Sequence, residues 1–177
     1  MGIRKEGENM IEIRHTGITD TEAEAVVNAA NTYLMQGGGV CGVIFNAAGP
    51  EKLQNACDAI GGCPTGSAVI TSGFDLCPYI IHAVGPVYQD GKHHEEELLY
   101  SCYASALDLA LEHSIASVAF PLISAGIYGY PLEKAWETAL KACREWLEKH
   151  QDCDIHIIFT IPEQNKFDMG LEILKQV

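Results

Sequence analysis

The sequence predicts an α/β fold: a three-layer α/β/α sandwich around a mixed, largely parallel sheet. Three observations predict it. Short β-branched segments bounded by Gly, Pro or Asp alternate along the chain with longer stretches of helical periodicity. The 177 residues suit one domain, since roughly 100–200 residues make one. Apolar residues are 47% and charged residues 20%, an ordinary mixture for a packed core, which excludes a mainly disordered, collagen-like or coiled-coil chain.

Taken in order, Ile11–Arg14 (IEIR) and Ala25–Ala29 (AVVNA) read as short strands, followed by helices over Val40–Ala48 and Glu51–Ile60. Ser67–Thr71 (SAVIT) and Tyr79–Val84 (YIIHAV) are β-branched and read as strands. The helix Glu95–Glu112 places Leu98, Leu99, Cys102, Ala106, Leu109 and Ala110 along one face. The strand Ser117–Phe120 (SVAF), helix Leu132–Lys149, strand Ile155–Ile161 and helix Gln164–Lys175 complete the alternation. There is no repeat, low-complexity run or linker. Residues 1–9 are polar and expected to be loose, which leaves a single domain from 10 to 177.

Charge narrows the partners. Lys and Arg number 11 against 24 Asp and Glu, a net charge of −13. A phosphate-backbone binder needs a basic face, so nucleic acid and anionic membrane surfaces are excluded as partners. No apolar run approaches the roughly 18–20 residues of a membrane span. The opening MGIRKEGENM lacks the apolar core of a secretory signal, and a cytoplasmic location is expected. The seven cysteines include no C-x-x-C pair and read as reduced, buried thiols. His150, Cys153 and His156 have no fourth ligand at zinc spacing. Asp152 to His156 reads as a strand entry, and the run His93–Glu97 as a solvated helix start. No metal is expected. With neither G-x-G-x-x-G nor a Walker sequence, no nucleotide cofactor is expected either. Ser124 lacks the G-x-S-x-G elbow of a hydrolase nucleophile.

In such folds ligands bind beyond the carboxyl ends of strands. Two Gly-rich strand-to-helix connections stand there: NAANTYLMQGGGVCGVIFNAAG and PLISAGIYGYP. Gly37, Gly38 and Gly39 permit positive φ and close backbone approach, just before a helix starting at Val40. Ser124, Gly126 and Gly129 do the same ahead of the helix near Pro131. Side by side, the loops would form facing nests of amide donors suited to a diphosphate. Asn28 and Asn31, three apart, suit one residue lining a pocket and one bracing the loop, although Asn is also a common turn residue. Tyr128 and Tyr130 offer a flat platform for a sugar or base, or else pack the loop on the core. His82 reads as a satisfied core histidine.

The runs VVNAANTYLMQGGGV, AAGPEKL, GGCPTGSAVIT, IIHAVGPVY and PLISAGIYGYP closely resemble the macrodomain family, from about Met10 to about Leu174. The nearest likeness is to the branch that hydrolyses ADP-ribosyl esters and O-acetyl-ADP-ribose. The resemblance implies a partner of that kind: ADP-ribose, an ADP-ribosylated protein or O-acetyl-ADP-ribose, lying in a cleft on the strand ends. It places the two phosphates against Gly37–Val40 and against Ser124, Ala125, Gly126, Ile127, Tyr128, Gly129 and Tyr130. Asn28 and Asn31 would face the distal ribose, with Tyr130 stacked beside it.

Three positions depart from the family pattern. The hydrolytic branch carries an Asp and, four residues later, a His; here these are Cys41 and Phe45. That change removes the obvious general base and leaves Cys41 as a small residue lining the pocket, or else as a catalytic thiolate favoured by the helix N-terminus. At the adenine end the family carries an Asp where this chain has Gly17, with Asp20 close but out of register, so adenine would bond backbone around Ile18. The expected function is ADP-ribose binding with slow ester hydrolysis, in which Asn31 positions the ribose and the ligand's phosphate holds the water. A non-catalytic reader is the alternative, and an ADP-ribose-1″-phosphate phosphatase a more distant one.

Overall fold

The computed structural model describes residues 10–176; the segment 1–9, expected from its sequence to be loose, lies outside the described residues. The described residues form six strands and five α-helices: β1 (Ile11–Arg14), β2 (Ala25–Ala30), α1 (Gly39–Ala48), α2 (Pro50–Ile60), β3 (Ala68–Gly73), β4 (Cys77–Val84), α3 (Glu95–Glu112), β5 (Ser117–Phe120), α4 (Leu132–Lys149), β6 (His156–Thr160) and α5 (Gln164–Lys175). The sheet order is β1-β6-β5-β2-β4-β3. Every neighbouring pair is parallel except β3 with β4. This is the mixed, largely parallel sheet that the alternation predicts.

Side-chain alternation along the strands divides the core into two layers. Ala25, Val27, Ile81 and Ala83 point to the face covered by α3, α4 and α5. Val26, Ala30, Ile80 and Val84 point to the opposite face, under α1 and α2. Aromatic rings fill the first layer: Phe120 meets Tyr103 at 5.3 Å and Phe159 at 5.6 Å between centroids, and Trp136 meets Phe159 at 5.4 Å. Each such buried ring contributes about 1.5–3 kcal/mol by leaving water.

Two local features position the site. Gly49, at φ 107°, ends α1 and lets Pro50 start α2 at once. Gly170 lets α5 press on α4, because a Cβ there would lie 2.5 Å from the Trp136 ring. Trp136 Nε1 also donates to the carbonyl of Lys166 at 3.0 Å, which fixes the first turn of α5 beside the strand ends. All seven cysteines are free thiols, five buried and two half-buried. Burial, with Asp58 nearby, pushes the Cys57 thiol up to about 11. Among the described residues no helix is long and apolar enough to cross a membrane.

Candidate functional site

The carboxyl ends of β1, β6, β5 and β2 open into one cavity of about 620 Å³. Its wall draws on the turn after β1, the loops after β2 and β5, and the chain between β6 and α5.

The loop after β2 is built by Asn31. Its Oδ1 accepts the amides of Tyr33 (3.2 Å) and Met35 (3.1 Å), and its Nδ2 donates to the Met35 carbonyl (2.9 Å). Gln54 of α2 clamps the same loop, accepting the Gln36 amide at 2.9 Å and donating to the Leu34 carbonyl at 3.0 Å. Cys41 Sγ accepts the Gly37 amide at 3.4 Å. Gly39 turns the chain into α1 at φ 58°. Among the described residues, the amides of Gly38, Gly39 and Val40 are left without a protein acceptor, as the first turn of a helix dictates.

The loop after β5 is built by Ser124, a non-glycine residue at φ 67°. Its buried Oγ donates to the Pro86 carbonyl at 2.8 Å. Only glycine fits beneath it at 85, since a Cβ there would overlap Ser124 Oγ and Ile123 Cγ2. The Tyr130 amide returns to the Ser124 carbonyl (2.9 Å) and the Gly129 amide to that of Gly126 (3.0 Å). The amides of Gly126, Ile127 and Tyr128 find no protein acceptor among the described residues. The loops face each other: a Cβ on Gly38 would lie 3.9 Å from Ile127 Cδ1.

The Macro domain family model matches residues 27–139, more than half the chain. The chain belongs to the macro domain family. A macro domain-containing protein of Listeria monocytogenes is 51% identical over 142 residues, 78% of this chain and 81% of the relative. One of Chlorobaculum tepidum is 54% identical over 131 residues, 73% of this chain and 76% of the relative. The Oceanobacillus iheyensis macrodomain with ADP superposes with a TM-score of 0.86 at 38% identity, covering 94% of this chain and 90% of that one. The Trypanosoma brucei macrodomain in complex with ADP-ribose gives 0.85 at 36% identity, covering 93% of this chain and 69% of that one.

On this macrodomain's cavity wall stand Gly17, Ile18, Asn31, Gly37, Gly38, Gly39, Val40, Cys41, Ser124, Gly126, Ile127 and Tyr128 of the sequence-predicted residues. Four others lie elsewhere. Asn28 is 1% exposed. It shares the α1/α2 face with Val26 and Ala30, because side chains two apart on β2 point the same way. There its Nδ2 meets His82 Nδ1 at 3.0 Å, so it braces the core and does not face the cleft. Tyr130 is buried in the α3/α4 layer, edge-on to Tyr88 at 5.0 Å, and is a packing residue where a stacking platform was expected. Ala125 and Gly129 shape the loop from outside the wall; Gly129 takes φ 72°. His82 is the satisfied core histidine the sequence predicts, with Nε2 3.0 Å from Thr71 Oγ1. Burial pushes its pKa down to about 4, which keeps it neutral.

The Gly17 end carries what sequence reading missed. Ile18 to Asp20 form a 3-10 turn, with the Asp20 amide donating to the Gly17 carbonyl at 3.1 Å. The Asp20 carboxylate folds back over Gly17 and has no hydrogen-bond partner among the described residues. Thr160, Ile161, Pro162, Glu163 and Lys166 also line the cavity. They follow β6, the neighbour of β1, and the rule of ligands at strand ends could have found them. Among the described residues Lys166 is the one cation in this wall, 3.7 Å from Glu163.

The run His93–Glu97 is only in part the solvated helix start expected of it. His93, His94, Glu96 and Glu97 are exposed, and Glu95 is buried.

Proposed function

We propose that this macrodomain binds ADP-ribose, free or carried on a protein or acetyl group, in the cleft at the strand ends. The observation that carries the reading is the pair of facing loops with unpartnered amides at residues 38–40 and 126–128. Such nests hold a diphosphate without a basic patch, which suits a chain of net charge −13. The ADP and ADP-ribose carried by the Oceanobacillus and Trypanosoma macrodomains support the same ligand. Asn31 keeps one Nδ2 proton beyond its loop bonds and is the candidate donor to a ribose hydroxyl. The Asp20 carboxylate is the candidate acceptor for the exocyclic amine of adenine.

For hydrolysis of ADP-ribosyl esters the chain offers little beyond positioning. The Cys41 thiol is tied to the Gly37 amide, and Phe45 is buried edge-on to His82 at 6.4 Å. Neither supplies a base, so turnover would depend on a water held by the ligand's own phosphate. The missing base costs a factor of roughly 10²–10⁴. The same observation favours the second reading, a non-catalytic reader. Proton NMR of the protein with O-acetyl-ADP-ribose separates the two. Line broadening with acetate growing above a protein-free control indicates a slow hydrolase, and broadening alone a reader. Phosphate release from ADP-ribose-1″-phosphate, measured in parallel, tests the phosphatase alternative. Absence of broadening would overturn the ligand.

A further inference from the structure

Residues 85–94, between β4 and α3, form no regular secondary structure, yet their polar groups are committed in two directions. Toward α3 they are gathered by one side chain. Glu95 Oε2 accepts the amides of Gln89 (3.0 Å), Asp90 (3.1 Å) and Gly91 (2.9 Å), and Oε1 accepts that of His93 (2.6 Å). Glu95 is 1% exposed. Burial works against its ionisation, but the four amides outweigh it and hold the carboxyl down to about 2. Glu95 is therefore a carboxylate acceptor to all four amides at physiological pH.

Toward the cleft the same strap grips the loop after β5. The Tyr88 amide donates to the Tyr128 carbonyl at 2.8 Å, and the Pro86 carbonyl accepts Ser124 Oγ at 2.8 Å. The Tyr88 ring rests on Tyr130, and a Cβ on Gly91 would lie 3.0 Å from the Tyr88 hydroxyl. Ser124 and Tyr128 are themselves in the cavity wall and bracket the open amides between them.

We propose that Glu95 is a positioning residue for the second ligand loop: by stapling residues 89–93 it holds Pro86 and Tyr88 against Ser124 and Tyr128, and so sets the affinity of a cleft it does not touch. The proposal rests on the reading of that cleft as an ADP-ribose site. Without the staple, the strap and loop would have to be ordered by the ligand itself, and that ordering would be subtracted from binding.

Coupling between two sites is reciprocal, so the unaltered protein provides the first test. ADP-ribose should slow amide hydrogen exchange at 126–128 and also at Gln89, Asp90, Gly91 and His93. The second test is Glu95→Gln, which keeps the shape but turns an NH₂ toward amide donors. It should unfold cooperatively, show shifted amide resonances at 124–128, and bind ADP-ribose about tenfold more weakly. The exposed Glu96→Gln should leave affinity and resonances unchanged. Protection confined to 126–128, or a Glu95→Gln protein that binds as tightly as its parent, would overturn the positioning role. Should that variant not fold, the exchange pattern of the parent decides. Protection at neither segment would overturn the ADP-ribose reading itself, and the role of Glu95 with it.

Discussion

A Cβ built on Gly17 would stand 3.0 Å from Oδ2 of Asp20, so the carboxylate occupies the space a side chain at 17 would enter. The proposed acceptor is three residues late in sequence but close in space. Asp20→Asn should therefore lower the preference for ADP over IDP, whose base presents a carbonyl in place of the amine. A hydrogen bond to a charged group is worth about 1.5–3 kcal/mol when well shielded. For a carboxylate on an open rim we expect a preference of about tenfold in the parent, largely lost in the variant. Calorimetry with both nucleotides checks this, and equal binding by the parent would remove Asp20 from the site.

Glycines 85 and 126 should fail in different ways. A Cβ on Gly126 meets nothing within 4 Å, so Gly126→Val leaves the fold intact and places its branch at the cavity wall. Binding should be lost with little change in Tm. Gly85→Ala drives a methyl into Ser124 and Ile123 and should cost about 1–3 kcal/mol of stability as overpacking. Normal ADP-ribose binding by Gly126→Val would sink the two-loop cradle.

Restoring the residues of the hydrolytic branch should give unequal returns. Cys41 lies in the cavity wall, so Cys41→Asp should raise acetate release from O-acetyl-ADP-ribose by about 10²-fold. Phe45 is 1% exposed, on the face of α1 that packs on the sheet beside His82. Phe45→His should thus add no rate and should cost about 2–4 kcal/mol. Acetate release and thermal melts of both single variants read the two effects separately.

His82 makes stability depend on pH. Its pKa falls from 6.5 to about 4 on folding, so the unfolded chain binds the extra proton between those values. Its contribution is complete above pH 6.5 and is lost as the pH falls toward 4, on the order of 3 kcal/mol in total. Urea unfolding at pH 7 and pH 4.5 should show the loss. His82→Phe should flatten the slope while leaving Asn28 and Thr71 without their ring partner. A His82 imidazole resonance, assigned by its loss in His82→Phe, that titrates near 6.5 in the folded protein would contradict this account.

Much of this was legible in the sequence, for reasons that differ by position. The helices Glu95–Glu112, Leu132–Lys149 and Gln164–Lys175 read with their observed bounds because long periodic runs are strong signals. Glycine-rich runs between strand and helix marked both loops that wall the cavity. Motif position does not reveal which way Asn28 and Tyr130 turn: strand alternation buries one, and Tyr88 and the α4 layer bury the other. Asp20 and Glu95 were undervalued for the opposite reason. In each a carboxylate turns back on the few residues before it, onto the amides of Gln89, Asp90, Gly91 and His93 or over Gly17, and that depends on backbone curvature that residue types alone do not reveal.

The donors at 38–40 and 126–128 belong to the main chain, so they are present whatever residue is encoded there, proline excepted. Mutation can crowd this part of the cleft but cannot delete those donors, unlike the side chains of Asn31 and Asp20. A lineage carrying such a site can lose chemistry at positions such as 41 and 45 and still keep its hold on the anion. On the proposed reading, side-chain changes at 41 and 45 would separate hydrolysis from binding, whereas loss of the anion requires crowding of the loops themselves.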